Sequence, residues 1–490
     1  MGKTHPKIPS PLLSFVPVGV LVSLLFFTVR IFGSDALSGA SQVVLLITTA
    51  VCCLIAVFYG KVRWKTIETA ITNNLSGVTV AIFILLIIGA LSGAWMISGV
   101  VPTLIYYGMQ LIYPDFFLAS ACIICAAVSV MTGSSWTTIA TIGVALLGIG
   151  KAQGFSEAWI AGAIVSGAYF GDKMSPLSDT TILASSVTDT PLFEHIRYML
   201  ITTIPSMLIA LIIFTAAGFT HTTAPTEQIA LYAESLKHTF HISGWLLTVP
   251  AVTGILIIRR VPSVVTLFAS AVLAGIFAFV LQPGLLHEIA GEGNESMASA
   301  FKGLLITFYG NTQLETGHIA LNDLVSTSGM GGMMPTVWLI ICAMAFGGAM
   351  TASGMIGSIT SVFLCFMKNR TGMVTSTIVS GLFLNLTTAD QYISIILTGN
   401  MFKDIYKQKG YESRLVSRTT EDAVTVTSPL IPWNTCGMTQ AAILGVSTLT
   451  YLPYCFFNLA SPLVSMAVAA SGYKIYRMNG KLRTSGSGEK

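Results

Sequence analysis

The sequence predicts an all-α polytopic membrane protein made of two inverted-topology repeats, each about five spans plus a re-entrant hairpin, with broken helices at the membrane midplane. Three observations predict it: a chain almost without charge, basic clusters spaced with the right parity, and short motifs that recur at a nearly constant distance. Of 490 residues, 53% are apolar and 9% charged, whereas a soluble domain carries roughly 25% charged residues. That is too little charge to clothe a water-facing surface. Apolar stretches of about 20 residues, long enough to cross a bilayer, recur from Leu12–Arg30 to Tyr451–Gly472. The polar start Met1–Ser10 precedes an apolar segment with no small-residue cleavage site, so no removable signal peptide is expected. The net charge of +4 lies in a few loops and reads as an orientation signal, with no nucleic-acid partner implied.

Loop charge sets the topology, because cytoplasmic loops are enriched in Lys and Arg. Lys3 and Lys7 put the N-terminus inside. The spans Leu12–Arg30 and Ser41–Phe58, joined by a turn near Asp35, return the chain to Lys61, Arg63 and Lys65. Val78–Gly99 then crosses outward to an interfacial piece, Val100–Tyr113. The stretch 116–150 is too short for two crossings and a turn at 1.5 Å per residue, so a hairpin that dips in and returns is expected. A broken helix at 158–191 crosses inward and Ile196–Phe219 crosses outward. An external linker, 221–243, follows, with Glu227 and Glu234 against Lys237. In the second half Gly244–Ile258 ends at Arg259 and Arg260, and Val261–Gln282 ends at an acidic loop with Glu288, Glu292 and Glu295. Thr336–Gly357 returns to Lys368 and Arg370. A second hairpin, 371–402, lies between basic clusters, the latter being Lys403, Lys407, Lys409, Arg414 and Arg418. A second broken helix, 421–447, is followed by Tyr451–Gly472, Lys474, Arg477, Lys481, Arg483 and a cytoplasmic tail, 475–490, whose end Thr484–Lys490 is too polar to order.

Five spans per half is odd, so homologous halves, 1–220 and 244–474, would lie in opposite orientations. Gly93-Ala94 and Ser98-Gly99 recur as Gly348-Ala349 and Ser353-Gly354, an offset of 353 − 98 = 255. Thr132 recurs as Thr387 at the same offset. Ser175-Pro176-Leu177 recurs as Ser428-Pro429-Leu430 at 428 − 175 = 253.

The chemistry is expected where the helices break. Pro176, Pro429 and Pro432 each remove a backbone donor and clash with the preceding turn, and unwound backbone survives at membrane depth only inside protein or beside water. Freed carbonyls with hydroxyl and carboxylate oxygens make hard ligands that suit Na+. Asp172, Asp179 and Asp390 are the acids expected within the membrane, where an ionisable group is costly and a functional candidate. Asp172 could instead be a charge at an interfacial helix end, and Lys173 could pair with an acid or point to the interface. Hairpin tips are expected at Thr132–Thr138, which includes Ser134, and at Asn385–Gln391, which includes Thr387. Ser175 and Ser178 belong to the first break, Asn434 and Thr435 to the second. A tip or kink merely buried among helices would also favour Ser and Thr. Glu421 and Asp422 are placed at the cytoplasmic entry of the second broken helix, with at most a role in attracting cations.

No resident metal or cofactor is expected. The eight cysteines lie in apolar segments, and Cys122-x-x-Cys125 has no second pair or His near it, which reads as buried thiols. The seven histidines, His5, His195, His221, His238, His241, His287 and His318, read as tail or loop residues.

The segment Gly171–Thr181, with Thr388-Ala389-Asp390-Gln391 and Ser428–Thr435, resembles the NhaC family of sodium/proton antiporters over nearly the whole chain. The resemblance implies Na+/H+ antiport, with a related branch that exchanges malate plus protons for lactate plus Na+. It also implies a scaffold, a mobile domain holding two hairpins and two broken helices, and a homodimer in the lipid bilayer of the cytoplasmic membrane. The expected mechanism is competitive: protonated Asp179, helped by Asp172 or Asp390, releases its proton and binds Na+ with oxygens from Ser134, Ser175, Asn434 and Thr435. An organic-acid exchanger is the alternative, disfavoured because no Arg is expected at membrane depth to pair a substrate carboxylate. An enzyme lacks a catalytic arrangement, and a channel is a further alternative.

Overall fold

A computed structural model describes residues 7–32, 39–220, 226–259, 261–291, 296–314, 322, 325–365 and 367–478. Lys3, His5, Asp35, His221, Arg260, Glu292, Glu295, His318, Lys481, Arg483 and the tail Thr484–Lys490 lie outside the described residues. The described chain is nearly all helix. Eight of its helices are long and apolar enough to cross a membrane, or ten if two bent pairs each count as one span.

The first part of the chain forms α1 (Pro11–Phe32), α2 (Ala40–Tyr59), α3 (Trp64–Gly77), α4 (Thr79–Ile97) and α5 (Val100–Leu111). Next come α6 (Phe117–Thr132), α7 (Ser135–Ala152), α8 (Glu157–Met174), α9 (Asp179–Val187) and α10 (Leu192–Thr220). The stretch expected as an external linker contains a helix, α11 (Thr226–Thr239), which bends by 88° into the segment that ends in α12 (Thr248–Ile258). The second part continues with α13 (Ser263–Leu281), α14 (Pro283–Ala290), α15 (Met297–Tyr309), α16 (Gly329–Ala352) and α17 (Met355–Leu364). It ends with α18 (Arg370–Thr388), α19 (Gln391–Gln408), α20 (Ser413–Thr420), α21 (Thr435–Leu444) and α22 (Phe456–Ser471). Helices α3, α14 and α15 fall in stretches read from sequence as loop. They are short, and α3 has one buried residue, Ile67, so their apolar signal is too weak to mark them as spans.

The two parts interlock through small residues. Helix α4 packs on α13 and α15 from the later part, while α16 packs on α2 and α3 from the earlier one, and α4 and α16 also touch each other. A Cβ at Gly93 of α4 would meet the Thr307 carbonyl of α15 at 2.1 Å. One at Gly348 of α16 would meet the Ile71 backbone of α3 at 2.7 Å. Each crossing needs a residue without a side chain, as close helix contacts in membranes generally do.

Helices α6 and α7 form a hairpin whose outer ends return together: Gln153 donates to the Ile112 carbonyl at 2.9 Å, and Phe117 stacks on Phe155. Helices α18 and α19 form the second hairpin. Both turn through one left-handed residue, Gly133 at φ 68° and Ala389 at φ 58°, followed by a capping side chain, Ser134 and Asp390. The Thr132 hydroxyl accepts from the Ser134 N–H at 3.2 Å, and the Thr388 hydroxyl accepts from the Asp390 N–H at 3.3 Å. The structural counterpart of Thr132 is therefore Thr388, one residue beyond the sequence match at Thr387. The glycines that start α5 and α17, Gly99 and Gly354, are likewise both left-handed, at φ 86° and 73°.

Candidate functional site

Both Ser-Pro-Leu segments interrupt helices. Helix α8 ends at Met174, and α9 restarts at Asp179 with Ser178 as its cap. The second interrupted segment begins at Ser413, earlier than the 421 expected. Helix α20 runs into a π turn, Glu421–Thr425, then a 3-10 turn, Ser428–Leu430, and α21 restarts at Thr435 with Asn434 as its cap. Four helix starts, those of α7, α9, α19 and α21, thus come to one place, each with its first N–H groups taken by a side chain: Ser134, Ser178, Asp390 and Asn434.

Between them lies a cavity of about 770 Å³. Its wall includes Asp172, Asp179 and Asp390, with Ser134, Ser178 and Thr435, and it reaches the Val261–Val264 turn. No Lys, Arg or His is among the described lining residues.

The three acids differ in their surroundings. Asp172 is 5% exposed and accepts from the Ser178 hydroxyl at 2.6 Å and the Ser135 hydroxyl at 2.7 Å. Asp390 is 3% exposed; one carboxylate oxygen accepts from the Ile393 N–H at 2.9 Å and the other from the Thr435 hydroxyl at 3.2 Å. Asp179 is the first residue of α9 and stands exposed on the cavity wall. The buried acid of the first break is therefore Asp172. Ser135, which the sequence reading passed over for its neighbour Ser134, supplies one of its two donors.

The remaining candidates lie behind the wall and hold it together. Asn385 donates to the Val424 carbonyl at 2.8 Å and the Thr427 hydroxyl at 3.1 Å, and Asn434 donates to the Asn385 carbonyl at 3.2 Å. Thr387 bonds back to the Phe383 carbonyl of its own helix at 2.9 Å. Ser175 donates to the Val130 carbonyl at 2.8 Å, tying the first break to the first hairpin. Pro176 is exposed, while Pro429 and Pro432 sit in the second break, Pro429 fully enclosed and Pro432 half-buried. These contacts position the site, and none of these side chains lines the cavity.

A second polar cluster was not visible in the sequence. Lys173, next to Asp172, is fully buried and ion-paired to Asp422, which also accepts from Thr202 at 3.1 Å and Ser461 at 3.0 Å. Glu421, Asp422 and Arg418 are fully buried too, so the first two are not entrance groups and Arg418 is no surface cation. His195 lies within α10, also fully buried, against the Ser417 hydroxyl at 2.5 Å, and His238 and His287 sit in α11 and α14. Charged residues flanking an apolar run look like a loop in one dimension. Here the helices close over them.

Residues 167–473 match the Na+/H+ antiporter family. The chain is 38% identical over 425 residues to the Na+/H+ antiporter NhaC of Alkalihalophilus pseudofirmus, covering 86% of this chain and 88% of that one. This chain belongs to the Na+/H+ antiporter family. It is also 34% identical over 459 residues to the malate-2H+/Na+-lactate antiporter of Bacillus subtilis, covering 93% of both chains. To the arginine/ornithine antiporter ArcD of Halobacterium salinarum it is 33% identical over 474 residues, covering 96% of this chain and 94% of that one. Family and hydropathy together make it a multi-pass membrane protein, whose named relatives are transporters.

Proposed function

We propose that this protein exchanges Na+ for H+ across the cytoplasmic membrane by alternating access, with the cavity at Asp172, Asp179 and Asp390 as the place where cation and proton compete. One observation carries the reading: three carboxylates face one cavity with no basic side chain among the described lining residues. The four helix starts oppose this with roughly half a positive charge each. Their total of about +2 falls short of three ionised carboxylates, so the ionised cavity attracts a cation. Asp172 is the group best placed to switch. Ionised, its oxygens and those of Ser135 and Ser178 are hard ligands for Na+; neutral, it holds the proton instead. Asp390 and Thr435 supply a second oxygen pair across the cavity.

Opposite orientation of the two halves is part of this proposal, supported by left-handed tips and helix caps that recur 256 residues apart. So are cytoplasmic termini, the inward opening implied by the turn beside Arg259, and a homodimer. The test is a Na+ pulse applied to proteoliposomes containing a pH-sensitive dye. The wild-type protein moves protons against Na+, and Asp172→Asn and Asp390→Asn each slow this at least tenfold. A wild-type protein that moves no protons in response to Na+ sinks the proposal.

A second reading, exchange of a small organic acid together with Na+ and H+, draws on the cavity's volume, which lies in the range of small-molecule sites, and on the helix starts, which favour anions. It is also the activity named for one relative. Malate or lactate gradients applied to the same vesicles separate the two: proton movement that requires an organic acid selects the second.

A further inference from the structure

Behind the cavity, five ionisable side chains from three segments are sealed from solvent: Lys173 of α8, His195 of α10, and Arg418, Glu421 and Asp422 of the second interrupted segment. Asp422 is served on one oxygen, which pairs with Lys173 and accepts from Thr202 and Ser461, while its other oxygen has no hydrogen bond and lies 3.7 Å from Nε of Arg418. Glu421 is less so: neither carboxyl oxygen makes a well-formed hydrogen bond, and the donor that comes near is the Thr425 hydroxyl of the same segment. None of the three Arg418 guanidinium nitrogens meets a hydrogen-bond acceptor, and the group lies over the Tyr198 ring at 4.8 Å. A buried acid without a well-formed hydrogen bond is far less costly neutral than charged, so this conformation accommodates Glu421 as the carboxylic acid. Residues three apart on one helical segment lie on the same side of it, and the Arg418 guanidinium has only a long ionic contact, to Asp422 at 3.7 Å. Glu421 also opens the π turn Glu421–Thr425, an irregularity that often marks functional positions.

We infer that Glu421 is a second proton-carrying site, apart from the cation cavity, whose two states are the neutral acid that this conformation accommodates and a carboxylate paired with Arg418. Ionisation breaks the O–H bond of the acid, the proton passes to water on the side then open, and the electron pair stays on the carboxylate that Arg418 neutralises. The link to the cavity is covalent and short. Lys173, which faces this cluster, directly follows Asp172, which faces the cavity, and the Thr181 hydroxyl bridges both their carbonyls at 3.1 and 3.2 Å. The inference rests on the proposed exchange and adds to it a proton that never shares a ligand set with Na+.

Glu421→Gln, neutral and of equal size, tests it in proteoliposomes with two assays run beside the wild type. In radioactive Na+ counterflow, where no net proton moves, the variant exchanges within twofold of wild type. In Na+-driven proton movement it falls at least tenfold, and Glu421→Asp restores the flux. Proton movement within twofold of wild type in Glu421→Gln overturns the inference. So does loss of both activities in both variants when each still purifies as a monodisperse protein, since that marks a purely structural residue. A wild type silent in the proton assay removes the proposed exchange itself, a different result.

Discussion

Two hydroxyls, Ser135 and Ser178, hold the Asp172 carboxylate at 2.7 and 2.6 Å, one on each oxygen. A hydrogen bond to a charged group contributes about 1.5–3 kcal/mol, and about 1.4 kcal/mol is tenfold in affinity. Ser178→Ala therefore raises the Na+ concentration for half-maximal exchange about tenfold or more, read from the Na+ dependence of the proton assay. Maximal rate changes less. The acids themselves were legible in one dimension, because Asp172, Asp179 and Asp390 interrupt long apolar stretches. Which of them is buried was not. Asp172 is followed by Lys173 and so resembled a charged helix end, yet the two point to different interiors, one to the cavity and one to Asp422. Its donor Ser135 lies 37 residues away, a pairing set by the way the first hairpin packs on α8 rather than by any local pattern.

That packing is close. A Cβ at Gly167 of α8 would meet the Cys122 carbonyl of α6 at 2.1 Å, and one at Gly171 would meet the Ala126 carbonyl at 2.5 Å. Backbone atoms, which cannot turn aside, crowd both positions. Gly167→Ala forces the hairpin away from α8, and overpacking of this kind costs typically about 1–3 kcal/mol. The expected result is a thermal unfolding midpoint lowered by several degrees in detergent, together with exchange slowed through the displaced Ser135. The breaks were readable from Pro176 and Pro429, since proline leaves helix little choice. The glycine contacts were not, because Gly is tolerated in many membrane helices and only the partner's carbonyl shows why it is needed here. Helix α3 was missed for a related reason: its value lies in passing close to Gly348 of α16 rather than in an apolar face of its own.

Across the whole molecule the two parts of the chain exchange partners, α4 lying on α13 and α15 and α16 on α2 and α3. Composition fixed the membrane class and loop charge gave an orientation, but this interlocking depends on contacts hundreds of residues apart that no spacing rule encodes. The orientation has a direct test through Ile84, a cavity-wall residue of α4. In a background without the accessible thiols Cys53 and Cys365, Ile84→Cys reacts with a charged, membrane-impermeant thiol reagent at least tenfold faster in inside-out vesicles than in right-side-out ones. Faster reaction from the outside reverses the assignment. A carboxylate-lined cavity of about 770 Å³ has room and polar partners for many waters, and a water-filled vestibule conducts. Where it opens to the cytoplasm, the membrane voltage drops across the protein that seals its far side. Each elementary charge crossing that septum is then worth about 2.3 kcal/mol per 100 mV, while an ion moving between the cytoplasm and the carboxylates crosses almost none of the field.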